Sequence, residues 1–324
     1  MKDLFIALSL LLSITSCMKE EIPVPALTPG DLMTGSVELM PDYRYQVYFK
    51  LQSNEGVSQN LKSEWDLGFE CSADGYHVIL NTSKLMFAAK TSKTSFDQIA
   101  DTAGHYAWRT DAASGNLDST VIGDWRGEDA VWLINRGYDK KGHPLGVVKF
   151  SIEGMDGVNY LVSFQEMGST AVHTVKIPKV DAVNFTFLSL DGGGDVKTLE
   201  PVKGEWDLVF TQYTERLLDG STYVPYLVTG ALLNRYQTFW ALEKERSFDE
   251  IKLKDVASYT FSKDINHPGF NWKTYDFDKG SYQVDPSLIY LIQTSDGTYY
   301  KLRFIDFYDS SGQGGNPVFE YQRL

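Results

Sequence analysis

The sequence predicts an all-β protein built as two tandem antiparallel β domains, and three observations carry that expectation. One block of residues occurs twice: Glu64-Trp65-Asp66-Leu67-Gly68-Phe69 returns as Glu205-Trp206-Asp207-Leu208-Val209-Phe210. Apolar and polar residues alternate along most segments, the period of a strand with one buried face. Turn dipeptides separate those segments, and helical periodicity is scarce.

The echo continues in order along the chain. Ser95-Phe96-Asp97-Gln98-Ile99 is answered by Ser247-Phe248-Asp249-Glu250-Ile251, and Asp124-Trp125-Arg126 by Asn271-Trp272-Lys273. Val147-Val148-Lys149-Phe150 is answered by Tyr299-Tyr300-Lys301-Leu302. A period of roughly 140–150 residues is too long for a solenoid repeat or a propeller blade, so it reads as a duplicated domain. The boundary is expected near Pro178–Val183, with copies at 43–180 and 181–324.

Each element has its own signal. Tyr45, Val47, Phe49 and Leu51 alternate with Gln46, Tyr48 and Lys50, and Phe185 and Phe187 alternate with Asn184 and Thr186. In the repeated motif Trp65, Leu67 and Phe69 are expected on one face with Asp66 opposite, and Trp206, Leu208 and Phe210 likewise. Two aromatic rings on one face supply much of a β core, at about 25 cal/mol per Å² buried. Phe96–Ala100 and Phe248–Val256 read as short helical turns opened by serine N-caps. Leu288–Thr294, Asp296-Gly297 and Thr298–Phe304 read as a β-hairpin with a tight turn. The Gly192-Gly193-Gly194 run is a loop, because no Lys-Ser/Thr or helix follows it in phosphate-cradle register.

The chain opens with a processing signal. Lys2 precedes an apolar run, Leu4–Leu12, that is too short to span a bilayer. Ile14-Thr15-Ser16-Cys17 then resembles a bacterial lipobox, in which Cys17 is lipidated and becomes the mature N-terminus. Residues 1–16 are therefore expected to be a lipoprotein signal peptide, and 17–42 a lipidated cysteine with a proline-containing tether. Glu20-Glu21 behind the cysteine resembles the export signal of Bacteroidetes-type surface lipoproteins.

The net charge is −13, and removing the leader removes Lys2 and Asp3 together, leaving it unchanged. A basic footprint for nucleic acid is absent, so contact with a membrane is expected through the lipid anchor only. With Cys17 lipidated, Cys71 has no disulfide partner and reads as a small buried apolar residue. No Gly-x-Ser-x-Gly elbow, His-Glu-x-x-His pair or Cys-x-x-Cys knuckle occurs, so a non-catalytic protein is expected.

The lipobox, the Trp-Asp-Leu-x-Phe strand and the hairpin Gln293-Thr294-Ser295-Asp296-Gly297-Thr298-Tyr299-Tyr300-Lys301-Leu302-Arg303-Phe304 together resemble the HmuY-like haem-binding surface lipoproteins. The likeness extends to Gly314-Gly315 before Val318-Phe319-Glu320-Tyr321. It covers 183–324 well and 43–180 more loosely. It implies an all-β fold of HmuY-like type, outer-membrane display at the cell surface, and haem as the cofactor or cargo for iron acquisition. It also implies a host haemoprotein as haem source and an outer-membrane receptor as recipient.

Haem iron is held by His, Met, Cys or Tyr above an apolar slot. Among the five histidines, His105 in Ala103-Gly104-His105-Tyr106-Ala107-Trp108 and His267 in Ile265-Asn266-His267-Pro268-Gly269-Phe270 are the haem-binding and metal candidates, because both lie among aromatics in loop-rich stretches. Met86 is the thioether candidate. The competing reading is a glycan- or protein-binding module without haem. Exposed, coplanar Trp108 or Trp240 would favour it.

Overall fold

A computed structural model describes residues 28–324. The signal peptide, Cys17 and the first part of the tether lie outside the described residues. The all-β expectation holds. Among the described residues the strands form four antiparallel sheets and a two-stranded ribbon, and the helical pieces are short 3-10 segments.

The sheets form two equivalent pairs. In the first pair, one five-stranded sheet runs His173–Pro178, Asn159–Glu166, Val147–Asp156, Trp132–Asn135, Phe87–Lys90. It packs on another that runs Asp195–Lys197, Phe185–Ser189, Leu67–Glu70, His77–Leu80, Gly123–Asp124. In the second pair, one sheet runs Met33–Ser36, Gly314–Arg323, Tyr299–Tyr308, Ile289–Gln293, Phe239–Glu243. Its partner runs Thr222–Leu233, Leu208–Asp219, Tyr45–Lys50, Glu55–Leu61.

Strand pairing crosses the middle of the sequence. Tyr45–Lys50, at the start of the chain, pairs with Leu208–Asp219, Phe49 opposite Leu208 and Val47 opposite Phe210. Phe185–Ser189, past the midpoint, pairs back onto Leu67–Glu70, with Leu188 opposite Leu67. Both cores are therefore mixed. One unites Leu67, Phe69, Phe150 and Tyr160 with Leu188 and Leu190. The other unites Val47, Phe49 and Leu51 with Phe210, Trp272 and Phe304.

The repeated motif is the clamp for this exchange. Asp66 is fully buried; its N–H donates to the Leu188 carbonyl at 2.8 Å and its Oδ2 accepts from the Leu190 N–H at 2.8 Å. Asp207, equally buried, donates to the Phe49 carbonyl at 2.8 Å and accepts from the Leu51 N–H at 2.9 Å. Two asparagines outside the motif complete the pattern. Asn81 Nδ2 donates to the Trp65 carbonyl at 2.7 Å, and Asn234 Nδ2 to the Trp206 carbonyl at 2.8 Å. Two further echoes share one cause. Lys149 Nζ donates to the Phe96 carbonyl at 3.0 Å, and Lys301 Nζ to the Phe248 carbonyl at 2.6 Å. Each lysine ties the Ser-Phe-Asp turn to its sheet.

One expectation about faces is corrected. Leu67 and Phe69 enter the main core, but Trp65 packs with Ile79, Phe185 and Phe187 in a separate cluster. Trp206 likewise leaves Leu208 and Phe210 and packs with Tyr48 and Val209. The regular strands begin only at Leu67 and Leu208, so strict alternation does not reach back through the aspartates.

The helical turns are Phe96–Gln98 and Phe248–Glu250, with a further turn at Leu253–Ser258. Ser247 forms a reciprocal capping box with Glu250, whereas Ser95 makes no side-chain cap bond. At the hairpin turn Gly297 has φ +83°, a value that favours glycine, and Asp296 Oδ1 accepts from the Thr298 N–H. Cys71 is buried, with Sγ 3.2 Å from Thr186 Oγ1, and burial pushes its thiol pKa up.

Two carboxyls are buried where the sheet pairs meet. Burial raises Glu200 to about 7 and Asp111 to about 6, against the backbone N–H donors of Phe185 and of Leu80 and Val121. A raised folded pKa gives stability that is complete below the unfolded value and is lost as pH rises through the folded one. Stability is therefore expected to decline between pH 4.5 and about 7 through Glu200. Thermal melts across that window test this: Glu200→Gln should flatten the decline, since its amide oxygen still accepts from Phe185.

Candidate functional site

The site centres on the segment between Phe261 and Phe270. Backbone contacts along its length hold it: Trp240 bridges Ser262, the Leu233 N–H donates to the Ile265 carbonyl at 2.9 Å, the Ile265 N–H donates to the Ser114 carbonyl at 2.8 Å, and Ala231 bridges Gly269. The close approach depends on Gly230, where a Cβ would lie 2.1 Å from the Gly269 oxygen. Trp272 Nε1 donates to the same carbonyl at 2.9 Å.

This bracing lays His267 flat on Trp240, with ring centroids 3.9 Å apart and planes 7° apart. The imidazole is half-buried. Its Nδ1 is buried without a hydrogen-bond partner. Burial, only partly offset by Asp264 and Glu215, lowers the His267 pKa, so the ring stays neutral below the usual histidine range. A neutral imidazole keeps one unprotonated ring nitrogen, which a metal ion requires.

Two hairpins rise beside the segment. Asn266 Nδ2 donates to Glu215 Oε2 at 3.0 Å, and Glu215 sits opposite Tyr226 in the long Leu208–Asp219/Thr222–Leu233 hairpin. Tyr223 and Tyr226 of that hairpin are exposed, as are Tyr275 and Phe277 of the Lys273–Asp276/Ser281–Val284 ribbon. Phe277 is 88% exposed, an unusual position for phenylalanine and a candidate contact surface. Tyr282 meets Tyr275 edge-on at 5.2 Å and donates its N–H to the Tyr308 hydroxyl at 2.6 Å, and burial pushes its own hydroxyl pKa up.

The other candidates stand elsewhere. His105 is an exposed loop residue beside Tyr106 and Trp108. Its stretch belongs to the other sheet pair, where Ala88 occupies the register position held by Trp240, opposite Ile134 as Trp240 is opposite Ile292. No indole therefore lies there for a histidine to stack upon. Met86 is 0% exposed inside the first core, packed among residues such as Phe150 and Trp132. His77 is bonded to Glu70 at 2.7 Å, His143 to Asp139 at 3.2 Å, and His173 lies against Phe164. Trp108 and Trp240 are both partly buried by their neighbours, so neither offers a bare platform to a sugar ring. Among the described residues no group of three or more His, Cys, Asp or Glu side chains is placed to hold a metal ion.

A family model described as HmuY protein matches residues 42–321 in one continuous run. The chain belongs to the HmuY family. That match spans both halves of the sequence. Among solved structures, the chain is similar to apo PinO from Porphyromonas gingivitis, at 11% identity over 91% of this chain and 97% of that one, with a TM-score of 0.29. It is also similar to a putative HmuY-like heme binding protein from Bacteroides vulgatus, at 11% identity over 90% of both chains, with a TM-score of 0.23. The apo HmuY analog of Tannerella forsythia gives 12% identity over 92% and 98%, with a TM-score of 0.22. No curated protein matches the chain. HmuY-family membership and an all-β architecture agree with the resemblance drawn from the Trp-Asp-Leu motif and the C-terminal hairpin.

Sequence reasoning named His267 and Trp240 separately and missed their stacking. The partner came from a strand distant in sequence, and only the register of Phe239–Glu243 against Ile289–Gln293 aims the indole at the segment.

Proposed function

We propose that this HmuY-family chain is a non-catalytic lipoprotein, anchored through Cys17 at the cell surface, that binds haem for iron acquisition with His267 as an axial ligand. The observation that carries this reading is the neutral imidazole stacked on Trp240 beside an exposed aromatic surface. Stacking fixes the ring orientation, so little rotational freedom is lost when a metal binds. The exposed Tyr226, Tyr275 and Phe277 supply apolar area for the porphyrin face. Family membership supports the ligand class, and the Bacteroides vulgatus relative is itself described as a putative heme binding protein. In this reading a host haemoprotein supplies the haem and an outer-membrane receptor takes it on. His105 is exposed with no stacking partner of this kind, and Met86 would have to leave a closed core to reach iron.

Titrating the purified chain with ferric haem tests the proposal. The expected result is a saturable shift of the Soret band that is lost in His267→Ala and kept in His105→Ala. Because burial lowers the His267 pKa, binding should persist into acid solution before protonation competes it away. An unshifted Soret band in the parent chain, ferric and ferrous alike, overturns the reading.

A further inference from the structure

Trp65 from one half of the sequence and Trp206 from the other face a common cavity of about 120 Å³ where the two sheet pairs meet. Its walls are aromatic: Trp65 lies against Phe187 at 4.7 Å, and Trp206 against Tyr48 edge-to-face at 4.9 Å. Asn184, Phe185 and Arg235 stand between this cavity and an outer cleft of about 350 Å³.

The polar groups inside are mismatched. Trp65 Nε1, Trp206 Nε1, Thr211 Oγ1 and the Tyr213 hydroxyl are buried with no hydrogen-bond partner, in residues 8%, 4%, 5% and 2% exposed. The two carboxylates nearby already hold other donors. Asp111 takes N–H groups from Leu80 and Val121 on its two oxygens, and Glu200 takes the Phe185 N–H and the Asn184 amide. An indole N–H can only donate, so the unfilled demand is for acceptors.

We infer that this cavity is a second binding site, separate from His267, for an uncharged single-ring molecule carrying a carbonyl-type acceptor. Three features set that class. Aromatic walls on both sides suit a flat ring. A volume near that of a cavity that accepts benzene, about 150 Å³, admits one ring and excludes a porphyrin. Buried Glu200 and Asp111, set against the single Arg235 cation, disfavour a carboxylate, while two indole N–H groups and two hydroxyls favour a neutral acceptor.

Benzamide is a suitable probe, followed by ligand-observed NMR on the full chain. Saturable binding is expected, weakened about five- to tenfold by Trp206→Phe, Trp65→Phe or Tyr213→Phe, the size of one lost hydrogen bond. His267→Ala should leave it unchanged, which separates this site from haem binding. Tyr213→Phe keeps nearly the same shape and should melt no lower than the parent, so its lost binding is not lost folding. Absence of saturable binding means that the cavity holds water alone and overturns the inference. Equal affinity in all three ring variants places benzamide elsewhere and overturns it too.

Discussion

Asp66→Ala is expected to destabilise the protein by about 3–5 kcal/mol, the cost of breaking a buried ion network by removing its shared partner. Asp66 is fully buried and holds Lys84 Nζ at 2.5 Å and the Arg136 guanidinium at 3.2 and 3.0 Å. Both cations are buried, and only Arg136 has a second anion, Asp191 at 2.6 Å. Burial already lowers the Lys84 pKa, and Asp66 is the main group that opposes this; the arginine stays charged whatever its surroundings. The substitution also strips the Leu190 N–H of its acceptor and so loosens the incoming strand. Asp207→Ala is the internal comparison. It strands a single cation, Lys50, whose side chain is 12% exposed, and should cost clearly less. Urea unfolding of both variants measures the difference. A loss for Asp66→Ala of about 1 kcal/mol or less, the scale of a surface pair, would contradict the network as described.

Trp272→Ala is expected to cost a further independent amount of about 3–5 kcal/mol through cavity formation. The indole is 0% exposed, stacks on Phe304 at 4.0 Å and meets Phe307 edge-on at 5.8 Å. Its Nε1 donor to the Gly269 carbonyl also anchors the segment that carries His267. Haem affinity should therefore fall together with stability, whereas His267→Ala should remove affinity and leave the melting temperature near the parent's. The equivalent Trp125 is only partly buried and its Nε1 has no partner. Trp125→Ala should be milder by both measures. Comparing denaturant midpoints for the two variants shows whether the two echoed tryptophans differ in role.

Much of the architecture is written locally. The alternation at Tyr45–Leu51, the Asp296-Gly297 turn and the repeated Trp-Asp-Leu block are short-range signals, and strands form where they indicate. The Trp faces were misread because the period-two rule was applied one step beyond the regular strand. The crossing of strands between halves has no short-range signature. Val47 lies opposite Phe210 because of packing between segments far apart in sequence, which no window of alternation reports. The same holds for the site. His267 is visible as a histidine among aromatics, but its platform, its bracing glycine at 230 and the Glu215 contact come from three other strands. Asn81 and Asn234 were overlooked although they follow leucine in both copies, because a two-residue echo is too short to stand out from chance.

The strand crossing also constrains how the chain is made. As the polypeptide leaves the ribosome, Tyr45–Lys50 emerges long before Leu208–Asp219, the neighbour that completes its ladder. Until then its Val47 and Phe49 side chains have no permanent seat, and its unpaired edge is open to other chains. Vectorial synthesis thus leaves an early strand waiting for a late one. The order in which the ladders can close therefore makes this early strand the one most open to misassociation during synthesis.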